Sequence, residues 1–316
     1  MSVASAHTPS STVVQTGSYT ADTGWCRGRL RDYADLCRPR IAVMTMISVA
    51  VGFTLASPIV FDAARLFIAT LGIIQLVAAS SMLNQVLEQS TDSTMARTSG
   101  RPIVAGRVSV FEVTFISLVL TTTGFVLLWT QVDRTTALAT LLTLLVYVCG
   151  YTTLKTRTSL CTTLGAVPGA MPPVLGWLAS GAAFGVEAWA LFALFFVWQF
   201  PHFLAIGWIH RNDYQNAGLR MLPSFEDEGR LTGIFAVIYA AVFVPIATLP
   251  ATIGMSGNVY FWAGAILSVA YLVFSVRFLL MRSDRRAKQL LYYSLICLPL
   301  LLFALVVDFL RLTAFG

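Results

Sequence analysis

The feature that most restricts how this chain can fold is a series of apolar runs of about 17 to 25 residues between positions 41 and 312. A run of this length can cross the hydrocarbon core of a bilayer as an α-helix. We therefore predict an all-α polytopic membrane protein with nine transmembrane helices. The predicted spans are 41–57, 64–87, 109–130, 135–154, 163–181, 187–209, 231–253, 258–281 and 288–312.

Composition argues against a separate soluble domain, because 57% of the residues are hydrophobic and only 11% are charged. The one long polar stretch, residues 1–25, is predicted to be a disordered leader, so that the membrane domain occupies residues 26–316. The leader lacks the apolar core of a secretory signal peptide. It also has no Lys or Arg before Arg27, which argues against a mitochondrial transit peptide and favours a bacterial plasma (inner) membrane.

The basic residues predict the orientation of the spans. If the N-terminus is cytoplasmic, 18 of the 21 Lys and Arg lie on the cytoplasmic side, and only Arg65, Arg134 and Arg311 lie on the other. Nine spans then place the C-terminus on the opposite side. This distribution also accounts for the net charge of +6, so no nucleic-acid partner is expected. The five cysteines are scattered without metal-ligand spacing and are assigned no chemistry.

The second predicted span ends in an acidic stripe formed by Asn84, Glu88 and Asp92. Residues four apart lie on one face of a helix, with side chains about 6 Å apart. Oxygen ligands at this spacing suit a hard divalent cation, and Mg²⁺ prefers one or two carboxylates together with water and substrate phosphates. The alternative is a solvated helix end. Ionisable groups that close an apolar span are costly and commonly functional, which favours the metal interpretation.

Basic residues follow the stripe at Arg97, Arg101 and Arg107. Arginine binds phosphate oxygens in bidentate fashion, although the positive-inside rule alone also explains basic residues in this loop. Acids for Mg²⁺ beside bases for phosphate together predict a diphosphate site. A second cytoplasmic loop, with Lys155 and Arg157, is again basic.

A third region holds His202 inside a predicted span and Asp213 beyond its end. A lone histidine on an apolar helix commonly bonds to a neighbouring helix, but a neutral imidazole in a cavity can also bind a haem iron or move a proton. Both readings stay open for His202. Asp213 is the natural counterpart of Glu88 and Asp92 across a cavity.

The glycines and prolines between Gly165 and Gly176 predict close helix packing or a kink.

Three blocks of the chain together resemble the UbiA superfamily of intramembrane prenyltransferases, and within it the protohaem IX farnesyltransferases. They are Asn84 to Arg107, with Met95-Ala-Arg-Thr; Tyr151-Thr-Thr-Leu-Lys155; and Pro201-His-Phe leading to Asp213-Tyr and Met221-Leu-Pro. The resemblance extends from about Arg38 to the last span. It implies a bundle around a central cavity that opens to the cytoplasm and to the lipid bilayer.

The resemblance implies an enzyme that transfers the farnesyl group of farnesyl diphosphate to a vinyl group of protohaem IX, with addition of water, to give haem O. It implies that Asn84, Glu88, Asp92 and Asp213 hold Mg²⁺, that Arg97, Arg101, Lys155 and Arg157 bind the diphosphate, and that His202 belongs to the haem side. Glu88, Asp92, Lys155 and Asp213 would be the catalytic set. Haem A synthase and oxidase assembly proteins are candidate partners.

Two departures from the family pattern are present. Many bacterial members carry aspartates at the positions of Glu88 and Ser90, and proline often stands at the position of Arg220. The carboxylate at Glu88 preserves the metal hypothesis. Two alternatives are a quinone-pathway aromatic prenyltransferase with the same donor chemistry and a secondary transporter. A transporter predicts inverted repeats and polar groups near the bilayer midplane, whereas the polar groups here gather at one face.

Overall fold

The computed structural model describes residues 23–57, 61–155, 158, 161–219, 221–224, 226 and 228–315, and this part of the chain is helical with no β-strand. The helices are α1 (Thr23–Cys37), α2 (Pro39–Leu55), α3 (Ala63–Leu87), α4 (Gln89–Ser93), α5 (Val110–Gln131), α6 (Arg134–Leu145), α7 (Thr152–Leu154), α8 (Cys161–Ala179), α9 (Val186–Ile209), α10 (Arg211–Asn216), α11 (Arg230–Thr252), α12 (Asn258–Met281) and α13 (Asp284–Phe315). All but the last three residues of the predicted leader, 1–25, lie outside the described residues, and those three belong to α1.

Seven described helical segments are long and apolar enough to cross a membrane, and the bent pair α1 and α2 would make an eighth. The seven are α3, α5, the continuous segment from α6 through α7, α9, α11, α12 and α13. The predicted count of nine is therefore not confirmed. The difference lies in the predicted span 163–181, because the helix there, α8, contains three prolines as well as several glycines, and these residues lower its hydropathy.

The outer surface of the bundle is apolar, as expected of a multi-pass membrane protein. Large hydrophobic side chains that would be costly to expose to water stand out from the transmembrane helices, including Phe67 on α3, Phe111 on α5 and Phe303 on α13. The interior holds aromatic and small residues together. This arrangement is typical of helices packed inside a bilayer, where close backbone contact replaces the hydrophobic effect as the driving force.

Glycines allow α2 and α8 to approach closely. A Cβ added at Gly176 would lie 2.0 Å from the Val49 carbonyl oxygen, and one added at Gly52 would lie 1.9 Å from the carbonyl oxygen of Pro173. Neither position can hold a larger side chain unless the backbones separate. The predicted role of Gly176 in close helix packing is therefore confirmed.

A sharp bend separates α1 from α2 at the end of the bundle where α3 ends and α5 begins. The two helices meet at an angle of 49°. Arg38, between them, adopts the left-handed backbone conformation with φ 51°, and the following proline disfavours the right-handed helical region at this residue. As a result α1 turns across the ends of α3 and α5, where Leu36 is fully buried against Met82 and Val113.

Candidate active site

The end of α3 and the short α4 hold the acidic stripe in place. The backbone N–H of Glu88 donates to the Asn84 carbonyl at 2.9 Å, and the N–H of Asp92 donates to the Glu88 carbonyl at 2.7 Å. Helical spacing therefore continues through the break at Glu88, so the three side chains stay on one face. All three are buried. Ser90 is exposed and is not part of this buried face.

Each carboxylate of the stripe faces one cation. Lys155 Nζ lies 3.2 Å from Glu88 Oε1, and Arg101 forms an ion pair with Asp92. Thr98 accompanies the second pair, because its hydroxyl donates to the Asp92 carbonyl at 2.8 Å. The loop that follows the stripe and the loop after α7 thus both return to the same acidic face. Buried carboxylates without such partners would be strongly destabilising.

Asn84 is held by two residues that are far from it in sequence. Arg38 Nη2 donates to Asn84 Oδ1 at 2.9 Å, and Asn84 Nδ2 donates to Thr152 Oγ1 at 3.2 Å. Thr152 follows a π-helical segment, Val146–Tyr151, and its hydroxyl donates to the Tyr147 carbonyl at 3.0 Å. π-Helical turns inside an α-helix are frequent at functional sites, because they reorient the side chains that follow.

Burial opposes the charges of the Asp92 and Arg101 pair. Desolvation raises the pKa of Asp92, and the neighbouring Glu88 adds to the rise, whereas Arg101 and Lys155 partly offset it. Desolvation likewise lowers the pKa of Arg101, and the nearby charge of Arg38 adds to that effect. Asp92 and Arg101 therefore form an ion pair in a poorly solvated environment. A ligand that carries both positive and negative charge, as a metal diphosphate does, can form ion pairs with both residues.

Asp213 lies on α10, beside His210, with Asp213 Oδ2 3.9 Å from His210 Nδ1. Burial lowers the pKa of His210, and the nearby Arg97 lowers it further. The neighbouring Asp213 partly offsets this lowering. Arg97 itself is exposed.

A small apolar cluster joins the loop after α4 to the loop around α10. Met95 packs against Tyr214 and Leu219, and all three are buried. The first and third sequence blocks are thus neighbours. Among the described residues, no three acidic, His or Cys side chains converge closely enough to hold one metal ion. Glu88 and Asp92 are brought together, whereas Asp213 does not join them in one ligand cluster, and Arg157 lies outside the described residues.

A cavity of about 790 Å³ lies beside this network. Arg38 and Tyr151 connect the two, because Arg38 lines the cavity while bonded to Asn84, and the ring of Tyr151 lines it with Lys155 Nζ 5.7 Å from the ring centroid. Aromatic rings form much of the remaining wall, including Phe200 stacked on Tyr239 at 3.9 Å. The cavity therefore has a charged end and an aromatic interior.

His202 on α9 also lines the cavity. Its ring stacks on Trp198 with centroids 4.9 Å apart, and its Nδ1 lies 2.7 Å from the hydroxyl of Ser294 on α13. The predicted place of His202 on the haem side stays a prediction. Its contact with Ser294 agrees with the interhelical reading, so the two interpretations of this residue are compatible.

Sequence reasoning missed Arg38, Thr152 and the cavity-lining Tyr147 as parts of the site. Arg38 and Thr152 act through Asn84, from which they are separated by 46 and 68 positions. One local signal was available, because an arginine directly before Pro39, at the start of a predicted span, is restricted in its backbone and cannot simply continue a helix.

Comparison with known proteins identifies related chains. The model of the UbiA prenyltransferase family matches residues 45–306. A protein of Koribacter versatilis named protoheme IX farnesyltransferase is 40% identical over 88% of this chain and 93% of its own length. One of the same name from Solibacter usitatus is 36% identical over 88% of this chain and 99% of its own length.

Solved structures share the fold. A digeranylgeranylglyceryl phosphate synthase superposes with a TM-score of 0.74 at 16% identity, covering 90% of this chain and 99% of its own. A UbiA homolog from Archaeoglobus fulgidus, bound to DMAPP and Mg²⁺, superposes with a TM-score of 0.62 at 17% identity, covering 87% of this chain and 99% of its own. At these identities the likeness supports the fold and nothing further.

Proposed function

This chain belongs to the UbiA prenyltransferase family, and we propose that it transfers the farnesyl group of farnesyl diphosphate to a vinyl group of protohaem IX, giving haem O and diphosphate. The donor chemistry is supported by the site, and the acceptor is supported by the names of the relatives. Those names do not favour the quinone-pathway alternative.

One observation carries the proposal: two buried carboxylates, each facing one cation, lie beside an aromatic cavity. An allylic diphosphate ionises when charge on its leaving oxygen is neutralised in a place that excludes water. Lys155 and Arg101 are positioned for that role. In the absence of substrate their charge is balanced by Glu88 and Asp92.

Magnesium fits the donor set, since Mg²⁺ takes one or two carboxylates and completes its shell with water and phosphate oxygens. Asn84, Glu88 and Asp92 would hold it from α3 and α4, whereas Asp213 on α10, which does not join them in one ligand cluster, stays a predicted second metal-binding edge. When bound, the ion supplies positive charge at the diphosphate. The Archaeoglobus homolog, which shares the fold, was solved with DMAPP and Mg²⁺.

The residues of the chain have distinct tasks in the transfer. Lys155 and Arg101 bind the diphosphate oxygens, together with Arg97 and Arg157 from the same cytoplasmic loops. As the bond between farnesyl C1 and oxygen breaks, the terminal vinyl carbon of the haem bonds to C1. Water then adds to the carbocation next to the porphyrin and releases a proton, which leaves a hydroxyethylfarnesyl group. Aromatic walls exclude bulk water from the first cation.

The topology supports a location for this chemistry. We propose that the protein lies in the plasma (inner) membrane of a bacterium, with the N-terminus and the active site cytoplasmic. If α8 crosses the membrane as a ninth span, the C-terminus lies on the opposite side. Both substrates are amphiphilic, so their apolar parts can enter from the bilayer while their anionic groups stay at the charged end of the cavity. Haem A synthase and oxidase assembly proteins are the candidate partners that would use the product.

The direct test supplies membranes containing the protein with haem B, farnesyl diphosphate and Mg²⁺, and separates the extracted haems by chromatography. We expect a haem O peak that disappears when EDTA removes Mg²⁺ and returns when Mg²⁺ is restored. Membranes lacking the protein are the control. An unchanged haem B peak from intact, folded protein would overturn the proposal, and prenylation of added 4-hydroxybenzoate instead of haem would favour the quinone-pathway reaction.

A further inference from the structure

The imidazole of His202 is fixed by three helices. Its ring stacks on Trp198 of the same helix, and its Nδ1 meets the hydroxyl of Ser294 on α13 at 2.7 Å. Trp198 is held in turn, because its indole N–H donates to the Ser294 carbonyl at 3.1 Å and its own carbonyl accepts from the Tyr271 hydroxyl on α12 at 3.1 Å. The orientation of the ring is therefore determined by the bundle.

The hydrogen bonds of Ser294 favour one tautomer of the His202 ring. A serine hydroxyl has one hydrogen to donate. Ser294 donates it to the Leu291 carbonyl, 2.6 Å away in the preceding turn of α13. Its oxygen can then accept from His202, and on this basis we assign the proton to Nδ1. In the neutral ring, Nε2 holds the free lone pair.

That lone pair is available to a ligand in the cavity. The half-buried His202 lines the cavity, whereas Ser294 is fully buried behind it. Within the described part of the chain, no residue forms a hydrogen bond with Nε2. This nitrogen is also not fully enclosed by protein atoms. A neutral imidazole held through Nδ1–H by a second residue, with Nε2 open, is how proteins present histidine to a metal.

We propose that His202 Nε2 coordinates the iron of the porphyrin substrate, and that Ser294 is the positioning residue that holds His202 in the required tautomer. The inference rests on the proposed function, because it takes protohaem IX as the acceptor. It adds the atom that binds the acceptor and a residue on α13 that acts through it. Iron coordination would anchor the porphyrin among the aromatic walls while the vinyl group reacts elsewhere on the ring.

The test compares haem B with metal-free protoporphyrin IX, each titrated into the purified full chain in detergent and followed by absorbance. We expect His202→Ala to abolish the spectrum of a histidine-ligated haem and to weaken haem binding, while leaving the affinity for the metal-free porphyrin unchanged. Loss of a residue that orients a metal-ligating histidine commonly costs 10–100-fold in metal affinity, so Ser294→Ala should weaken haem binding about tenfold. The same variant should not change metal-free porphyrin binding.

Ser117→Ala is the matched control, because Ser117 is also fully buried but donates only to the Val113 carbonyl of its own helix. It should bind both porphyrins as the unmodified chain does. In His202→Gly, added imidazole should restore the ligated spectrum. Iron coordination would be overturned if His202→Ala lost affinity equally for haem B and for the metal-free porphyrin. An unchanged haem spectrum in that variant would overturn it as well. Iron coordination would also be overturned if the unmodified chain made haem O without showing the spectrum of a histidine-ligated haem. If the unmodified chain made no haem O, the proposed function itself would be overturned.

Discussion

Lys155 Nζ lies 3.2 Å from Glu88 Oε1, although 67 positions separate the two residues. Both side chains are nearly buried, with 12% and 9% of their surfaces exposed. The pair joins the loop after α7 to the end of α3, beside the cavity. Because the lysine is paired with a carboxylate, a diphosphate that enters with Mg²⁺ can exchange partners with the pair without leaving a bare buried charge.

The first prediction concerns this pair. Glu88→Gln should reduce haem O formation about a hundredfold or more, because it removes a metal ligand and leaves the Lys155 ammonium without its partner. Chromatography of extracted haems at saturating Mg²⁺ gives the measurement. Glu187→Gln is the control and should leave activity intact. Glu187 lies in the first turn of α9, at the opposite end of that helix from α10 and the candidate site. Full activity in Glu88→Gln would remove Glu88 from the site.

The second prediction concerns the pH dependence of the Asp92 carboxylate. Burial raises the pKa of Asp92, so this group takes up a proton at a higher pH than an exposed aspartate does. Protonation removes both a metal ligand and the partner of Arg101. The rate at subsaturating Mg²⁺ should therefore fall as the pH drops, and the fall should begin above the usual range for aspartate.

A substitution of Arg101 tests whether the acid limb belongs to Asp92, because the charge of Arg101 lowers the pKa of Asp92. In Arg101→Gln the acid limb of the rate profile should move to higher pH, whatever happens to the maximal rate. Profiles of the unmodified chain, Arg101→Gln and the Glu187→Gln control are compared over the same buffers. An acid limb that stays in place in Arg101→Gln would contradict the assignment of this limb to Asp92.

Much of the fold was predictable because the signal is local. The predicted spans 64–87 and 258–281 match Ala63–Leu87 and Asn258–Met281 to within one residue at each end. The last span, predicted as 288–312, lies within the longer helix Asp284–Phe315, since helical geometry continues beyond the apolar run. The count of nine was not confirmed, because prolines and glycines lower the hydropathy of α8, where Gly176 serves close packing.

The candidate site was predictable to the extent that it depends on spacing along one helix. Four-residue spacing predicted that Asn84, Glu88 and Asp92 share a face, and the described hydrogen bonds maintain that spacing. The partners of these residues were not predictable in the same way. Arg38 and Thr152 reach Asn84 only because a left-handed bend and a π-helical segment redirect two other parts of the chain. Pro39 signals a break after Arg38 but not its left-handed geometry.

The third prediction concerns stability at the far end of the bundle. Asp308 on α13 is fully buried and accepts from the backbone N–H groups of Gly257 and Tyr260, so it caps α12 while paired with Arg311. Asp308→Ala should reduce the free energy of unfolding by about 1–3 kcal/mol, because it leaves buried donors unpaired.

Thermal unfolding in detergent measures this effect, and the KM values for both substrates should not change. Asp284→Ala is the control, because the ion pair of Asp284 with Arg211 is exposed and contributes little. A variant of Asp308 as stable as this control would show that the cap is dispensable.

The fourth prediction concerns the contact between α2 and α8. A Cβ at position 176 would lie 2.0 Å from the Val49 carbonyl oxygen, a backbone atom that cannot turn aside as a side chain can. Gly176→Ala should therefore separate the two helices and destabilise the protein by about 1–3 kcal/mol. In Gly28→Ala the added methyl group meets nothing within 4 Å, so the thermal midpoint should stay the same or rise. Because α2 and α8 also line the cavity, the same separation should raise the KM for farnesyl diphosphate in Gly176→Ala. An unchanged melting curve and KM would show that the backbone contact yields without cost.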